Sequence, residues 1–290
     1  MASTVLHCSD IHLLSLEGVG PLRFLNKRMT GGVNLLMKRR RRHREALFDR
    51  IVEHAHRLKV DRLIVTGDLT NLALESEYEH VRAVLRTVEV PVTVVPGNHD
   101  VYTRGAERSA RFEQYLGEFM EGDRIGDAAY PFVQRLDDNV ALIGLSTAVA
   151  TLPMFATGSL GEGQLDRLAT LLDHLGSEHC MRIVLIHHPV VSGVSHARHD
   201  LLDLDAFGAV IAKHGAELVL HGHEHSEILG SLVGPGHSVP VHGIASGTSI
   251  SSQLGREGAF GLYRLEGQSI LRTRYVWTGS DFEPANINSL

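Results

Sequence analysis

The sequence predicts a layered α/β fold, and three observations predict it. Short, nearly unbroken apolar runs recur along the chain, as in Leu63-Ile64-Val65 and Ile183-Val184-Leu185-Ile186. Runs of this kind are expected of parallel strands covered on both faces. Between them lie stretches in which apolar residues return with the 3.6-residue period of a helix. After about Glu227 the helical stretches stop, and strand-like runs separated by Gly, Ser and Pro replace them.

In chain order, strands are expected at Thr4–Cys8, Arg62–Thr66, Val92–Val95, Val140–Ser146, Arg182–Ile186 and Leu218–Leu220. Helices are expected at Arg44–Leu58, Glu75–Val88, Glu107–Phe119, Gly163–Leu175 and Asp205–His214. Near the end, Ser238–Ala245, Gly258–Leu265 and Ile270–Thr278 read as antiparallel strands completing a second sheet. Two charge-free stretches, Asn139–Gly161 and Ile228–Gly255, are interrupted by Gly, Pro, Ser and Thr, so they read as buried strands joined by loops. Neither is the run of about 20 apolar residues that a membrane span needs. No linker rich in Pro or Ser divides the chain, and residues 1–290 read as one domain. The composition, 43% hydrophobic and 21% charged, excludes a disordered chain, a collagen-like repeat and a disulfide mini-protein. With no secretory signal visible and only Cys8 and Cys180 present, the reading is a soluble cytoplasmic protein with both thiols reduced.

The histidine count, 19 of 290 residues, directs attention to metal chemistry, because imidazole is the commonest protein metal ligand. Five clusters of ligand-type residues each follow an apolar strand. The first is Asp10-Ile11-His12, where alternate spacing in an extended segment turns both side chains to one side. The second is Gly67-Asp68, followed by Leu69-Thr70-Asn71; a carboxylate at the C-terminal edge of a parallel strand is where α/β sheets place their sites. The third is Gly97-Asn98-His99-Asp100. Here Asn98 offers a neutral oxygen, His99 can transfer protons, and Asp100 is expected to orient His99 by accepting its other ring N–H. The fourth is His187-His188-Pro189. The fifth is Gly222-His223-Glu224-His225, in which the two histidines share one side of an extended segment and Glu224 points away.

These five blocks, in this order, closely resemble the signature of the calcineurin-like metallophosphoesterases: Asp-x-His, Gly-Asp, Gly-Asn-His-Asp/Glu, a His after a strand, and Gly-His-x-His. They span Asp10 to His225, most of the chain. The resemblance implies a four-layer α/β/β/α sandwich of two mixed sheets with a two-metal site at the strand ends. It implies that Asp10, His12 and His225 hold one divalent ion, that Asn98, His187 and His223 hold the other, and that Asp68 bridges them. The family pattern is His-x-Pro, which assigns the fourth block's ligand to His187 rather than His188. Many members carry a Glu shortly after Gly-Asp; Leu69-Thr70-Asn71 stands there in this chain. Mixed N/O ligation suits manganese, iron, zinc or cobalt.

The implied reaction is phosphoester hydrolysis by a hydroxide held between the ions, since metal binding lowers the pKa of water from ~15.7 toward ~7. His99 is the expected general acid. The blocks look most like those of bacterial class III cyclic-nucleotide and glycerophosphodiester phosphodiesterases, which makes a small phosphodiester the expected substrate. The alternatives are a broad phosphomonoesterase and a membrane-associated hydrolase of a lipid-linked phosphoester or pyrophosphate.

Two further segments carry expectations. Residues 21–44 hold nine Lys or Arg residues, no acidic residue, and interleaved Leu22, Phe24, Leu25, Met29, Val33, Leu35, Leu36 and Met37. A basic amphipathic insertion of this kind suits peripheral contact with an anionic membrane or steering of an anionic substrate. The acidic remainder of the chain and a single Trp, Trp277, offer little to nucleic acid. His188–Asp200 is expected to line the substrate mouth, with Arg198 meeting a phosphate, and the loop after Ser146-Thr147 to border it. No pattern specifies an oligomeric state.

Overall fold

A computed structural model describes residues 2–15, 17 and 44–285. Except for Arg44, the basic stretch 21–44 lies outside the described residues, and so does the membrane or steering role expected of it. The first third of the described chain runs β1 (Ser3–Cys8), α1 (Glu45–Arg57), β2 (Arg62–Thr66), α2 (Glu75–Arg86), β3 (Val92–Val95), α3 (Arg104–Arg108) and α4 (Arg111–Leu116). There follow β4 (Asp123–Arg124), β5 (Phe132–Asp137), β6 (Val140–Gly144), α5 (Glu162–Ser177), β7 (Met181–Leu185), α6 (Leu204–His214) and β8 (Leu218–His221). The chain closes with β9 (Ile228–Val233), β10 (Ser238–Gly243), β11 (Ala259–Glu266), β12 (Ser269–Trp277) and β13 (Phe282–Pro284).

The strands form two mixed sheets. The six-stranded sheet has the order β13-β12-β11-β1-β2-β3, and the seven-stranded sheet β4-β5-β6-β7-β8-β10-β9. Within the first, β1, β2 and β3 are parallel; within the second, β6, β7, β8 and β10 are parallel. Helical crossovers impose this arrangement up to β8, because a parallel neighbour is reached by a long connection over the sheet face; β10 instead fills the place between β8 and β9 by pairing back antiparallel on β9. The apolar stripe of α1 (Leu47, Phe48, Ile51, Ala55) is buried in one core cluster together with Val5, Leu63 and Val65. The stripe of α5 (Leu165, Leu168, Leu171, Leu172, Leu175) is buried in a second with Val184 and Val219. Both stripes follow the i, i+3, i+4, i+7 spacing that turns one helix face inward.

Three expectations need correction. The strands β11 and β12 do not complete the second sheet; they extend the first, with β11 antiparallel to β1 and Val5 opposite Tyr263. The helix expected at Glu107–Phe119 is instead α3, α4 and a 3₁₀ turn at Gly117–Met120. It breaks at Ala110, whose φ of 45° is left-handed, a conformation that cannot propagate a right-handed helix. Finally, β9 is not buried throughout: its residues alternate half-buried and exposed, as an edge strand with one solvated face should. Cys8 and Cys180 are both buried and unbridged.

Candidate metal centre

The C-terminal ends of β1, β2 and β3 from one sheet and of β7 and β8 from the other converge, and each delivers one of the five sequence clusters. Parallel strands present their ends on the same side, so loops distant in sequence meet there. The exits are tied directly to one another. Asp10 N–H donates to the Gly67 carbonyl (3.0 Å), His12 N–H to the Asp68 carbonyl (3.0 Å) and Leu13 N–H to the Leu69 carbonyl (2.9 Å). Across the sheets, His223 N–H donates to Asp10 Oδ2 (3.0 Å); within the second sheet, Gly222 N–H donates to the His187 carbonyl (3.1 Å).

Two glycines permit this closeness. Gly67 has φ 95°, and a Cβ there would stand 2.5 Å from His187 Nδ1 and 2.7 Å from the Gly97 nitrogen. A Cβ on Gly97 would collide with Asp68 and stand 2.8 Å from His187 Cε1. The β2 and β3 exits and the His187 ring therefore share a space that only a hydrogen at Cα can occupy.

The backbone is also bent into unusual conformations at the site. Asp10, His12, Asp68, His223 and His225 all have positive φ, of 54°, 46°, 53°, 75° and 49°. The segments holding Asp10 and His12 and holding His223 and His225 are thus bent rather than the extended pieces expected from alternate spacing. His223 and His225 do not share one side: His223 faces Asn98 and His187, whereas His225 faces Asp10 and His12. Nor does Glu224 point away, since it accepts from Ser195 Oγ (2.6 Å) and lies within 4.8 Å of donor atoms on His199 and His223.

The side chains form two groups on either side of Asp68. Asp10, His12, Asp68 and His225 each bring one donor atom within 4.8 Å of the others. On the other side, Asn98 Oδ1 lies 3.2 Å from His187 Nε2 and 2.9 Å from His223 Nδ1. Asp68 faces both groups, with Oδ2 3.8 Å from His12 Nε2 and Oδ1 3.5 Å from His187 Nε2.

Hydrogen bonds on the far ring nitrogens fix which lone pairs point inward. His12 Nδ1 lies 3.2 Å from the Thr70 carbonyl, His187 Nδ1 2.7 Å from the Thr66 carbonyl, and His223 Nε2 3.1 Å from the His199 carbonyl. A carbonyl accepts only, so each of these nitrogens donates and the other nitrogen of a neutral ring is a bare lone pair. Burial, reinforced by neighbouring imidazoles, lowers the pKa of His223, and burial lowers that of His187, which keeps both neutral. As a result His187 Nε2 and His223 Nδ1 confront each other at 3.3 Å. Asp10 Oδ1 is buried without a well-formed hydrogen bond, 3.2 Å from His225 Nε2. Lone pairs held this close, with no hydrogen between them, fit a cation better than they fit each other. The donors are nitrogen and oxygen without thiolate, as borderline divalent metals take.

His188, adjacent to His187, has a different environment. Its Nδ1 lies 2.6 Å from Thr147 Oγ1 and its Nε2 3.0 Å from the Ala156 carbonyl. Both nitrogens are occupied, and burial together with His187 pushes its pKa down to about 3. It anchors the loop after β6, which makes Thr147 part of the site's support.

The third cluster also differs from expectation. His99 Nδ1 donates to the Asn71 carbonyl at 2.7 Å, so Asp100 does not orient that ring. Asp100 instead accepts from Gly97 N (2.9 Å), Leu69 N (3.2 Å), Thr70 N (2.8 Å) and Thr70 Oγ1 (2.9 Å). It joins the β2 exit to the β3 exit. His99 Nε2 is left 4.0 Å from Asp68 Oδ2, with the ring stacked on Tyr102 at 5.4 Å. Arg198 lies on an exposed loop with its guanidinium 5.6 Å from the Phe155 ring centroid.

Several contributors gave no sequence motif. Ser246 Oγ donates to the Asp10 carbonyl (2.7 Å) and Thr248 Oγ1 to the Ile11 carbonyl (3.0 Å), bracing the first turn from the loop after β10. Glu77 accepts from the backbone of Asn71, Leu72 and Leu74 at 3.2, 2.9 and 3.0 Å and holds the loop after Asp68. Its place at the start of an amphipathic helix was the available clue.

Comparison with known proteins places this geometry. The chain is 26% identical over 186 residues to a 3′,5′-cyclic adenosine monophosphate phosphodiesterase of Escherichia coli, covering 63% of this chain and 60% of that protein. It is 31% identical over 156 residues to a probable glycerophosphodiester phosphodiesterase of Arcobacter nitrofigilis, covering 52% of this chain and 51% of that one. The match thus spans between half and three-fifths of these relatives' lengths. Among solved structures, a dimetal phosphatase from Danio rerio superposes with a TM-score of 0.66 at 15% identity, covering 97% of this chain and 98% of that one. A purple acid phosphatase from yellow lupin superposes with a TM-score of 0.59 at 11% identity, covering 98% and 53%. Both share the fold. The sequence profile described as calcineurin-like phosphoesterase matches residues 3–227, from the first strand through the last histidine cluster. This chain belongs to the calcineurin-like phosphoesterase family.

Proposed function

We propose that this chain is a metal-dependent phosphodiesterase that hydrolyses a small phosphodiester at the strand-end site. In this reading Asp10, His12 and His225 hold one divalent ion, Asn98, His187 and His223 hold a second, and Asp68 stands between them. The observation that carries it is the pair of donor groups flanking Asp68, with His12 Nε2 and His187 Nε2 3.8 and 3.5 Å from its two oxygens. Bound divalent ions supply charge neutralisation for the phosphate and a water acidified toward neutral pH.

The chain's own residues do the remaining work. His99 donates Nδ1–H to the Asn71 carbonyl, which aims Nε2 into the site, where it can carry a proton to the departing oxygen. As water adds to phosphorus and the ester P–O bond breaks, the protonated His99 ring gives its Nε2 proton to the leaving alkoxide, making it an alcohol, and the proton shed by the water restores the ring. Asn98, His99 and Arg198 are the groups offered to the substrate. The diester preference rests on the two relatives named above, a cyclic adenosine monophosphate phosphodiesterase and a probable glycerophosphodiester phosphodiesterase.

The test is hydrolysis of bis-p-nitrophenyl phosphate and p-nitrophenyl phosphate by chelator-stripped protein, before and after adding back Mn²⁺. Metal-restored turnover of the diester is expected. Activity on the monoester alone would make the protein a phosphatase, and activity unaffected by stripping would remove the metal reading.

A further inference from the structure

Eight large apolar side chains stand out as exposed among the described residues, and four of them, Leu152, Met154, Phe155 and Leu202, lie on two loops beside the metal centre. The loops are laced together: Ala156 N–H donates to the Arg198 carbonyl (2.8 Å), Gly158 N–H to the Asp200 carbonyl (3.1 Å) and Leu202 N–H to the Gly158 carbonyl (2.9 Å). They are fastened to the site by two histidines whose rings lie 4.3 Å apart. His188 binds the Ala156 carbonyl (3.0 Å) and His223 the His199 carbonyl (3.1 Å). Gly158 lies flat against the His188 ring, where a Cβ would stand 2.5 Å from Nδ1. Phe155 and Arg198 each precede one of these anchored residues, and the guanidinium sits 5.6 Å from the Phe155 ring centroid.

Exposed apolar area concentrated at one rim marks a binding surface rather than scattered surface chemistry. We propose that Phe155 and Arg198, with Leu152, Met154 and Leu202 around them, form the subsite for the organic arm of the phosphodiester. The subsite selects a planar aromatic arm over a small hydroxylated one. The proposal rests on the phosphodiesterase reading and adds the substrate class. The side chains of Leu152, Met154, Phe155 and Leu202 carry no hydrogen-bonding group, and the main-chain groups named above are used in joining the loops, so the patch itself holds a polyol poorly. What it does offer is an aromatic face, aliphatic surface and one cation, the combination that stacks a nucleobase and attracts the anion attached to it.

The test compares kcat/KM for adenosine 3′,5′-cyclic monophosphate and glycerophosphoethanolamine in the metal-loaded wild type, Phe155→Ala, Phe155→Tyr and Phe155→Leu. The wild type is expected to prefer the aromatic substrate. Phe155→Ala should lower that preference about tenfold, mostly through KM, in keeping with base stacking on aromatic side chains. Phe155→Tyr should retain the preference and Phe155→Leu should not. An unchanged preference in Phe155→Ala, an equal loss on both substrates, or full rescue by Leu overturns the proposal.

If the wild type cleaves neither compound, calorimetric binding of adenosine monophosphate separates the two readings. Binding that weakens in Phe155→Ala and persists in Phe155→Tyr keeps the subsite while the hydrolase reading fails; absent or unaltered binding removes the subsite. Sedimentation with phosphatidylglycerol vesicles, lost in Phe155→Ala, would replace the planar arm with a lipid surface and overturn the proposal.

Discussion

Asp100 offers the sharpest distinction between a residue acting on the reaction and one holding the site together. Next to His99 in sequence, it looks like a partner for that imidazole; in the structure its carboxylate receives three backbone N–H groups and the Thr70 hydroxyl instead. Asp100→Ala would strand the N–H groups of Gly97, Leu69 and Thr70, all in buried surroundings. A stranded buried donor costs about 1–3 kcal/mol. The three losses share one small space and can be partly relieved together by water, so the expected total is about 4 kcal/mol, below their sum. Asp100→Asn keeps the size but turns an NH₂ toward one pair of donors, so roughly half that cost is expected. The β2 and β3 exits that Asp100 joins carry Asp68, Asn98 and His99, and loss of such a supporting contact typically weakens metal binding 10–100-fold. The assay is urea denaturation of chelated protein, paired with a Mn²⁺ titration of diesterase activity. The expected result is a lower midpoint, weaker metal dependence and near-normal turnover at saturating metal. A variant with unaltered stability and metal titration, but selective loss of rate on poor leaving groups, would refute it and restore Asp100 as the partner of His99.

Other outcomes follow from the same geometry. Asp68→Ala should abolish diesterase activity and lower the metal content measured by elemental analysis, because Asp68 faces both donor groups; a fully active variant would end the two-ion reading. His99→Ala should slow hydrolysis of alkyl esters far more than p-nitrophenyl esters, and an equal loss on both would argue against proton donation from Nε2. Burial pushes the Glu77 carboxyl up from 4.5 to about 7, against the three backbone donors that favour its charged form. A folded pKa above the unfolded one means the folded state holds the extra proton, so this stabilisation is complete below about pH 4.5 and lost as pH rises through about 7. The full swing is about 3 kcal/mol; Glu77→Gln should flatten the pH dependence of the denaturation midpoint, and an unchanged profile would show that the backbone donors win.

The parts of the fold legible in the sequence are those fixed by local pattern. Arg62–Thr66 and Val92–Val95 were bounded to the residue because continuous apolar runs end there at Gly67 and Pro96. Sheet membership was not legible for β11 and β12: the antiparallel pairing of Val5 with Tyr263 joins segments from opposite ends of the chain, and nothing local to either specifies the partner. The ligand-type clusters were legible because their residue types are rare together. Their backbone was not read correctly, although Asp and His are several-fold enriched at positive φ and gave a signal. Phe155 was invisible for another reason. A lone aromatic in a loop reads as ordinary until Arg198, from the loop preceding α6, is seen over its ring.

The site carries two separate costs, with separate remedies. A non-glycine residue in the left-handed region costs about 1–2 kcal/mol, so Asp10, His12, Asp68, His223 and His225 together represent a substantial strain. The bonds that offset it involve no ion: β1 and β2 continue their pairing past the last strand residue through Asp10, His12 and Leu13, and Ser246, Thr248 and Asp10 Oδ2 tie in the second sheet. The second cost is electrostatic. Lone pairs of His187 and His223 face each other, and the carboxylates of Asp10 and Asp68 stand in the same small volume. His223 N–H on Asp10 Oδ2 (3.0 Å) and His99 N–H on Asp68 Oδ1 (2.7 Å) relieve the carboxylates in part, and divalent cations among the donors would relieve the rest. The fold therefore sets the positions of the donors in advance, and the free energy left for the ions to supply is that of relieving the repulsion between them. A site built this way would bind metal without a large rearrangement, which is the condition for holding a phosphate between fixed charges.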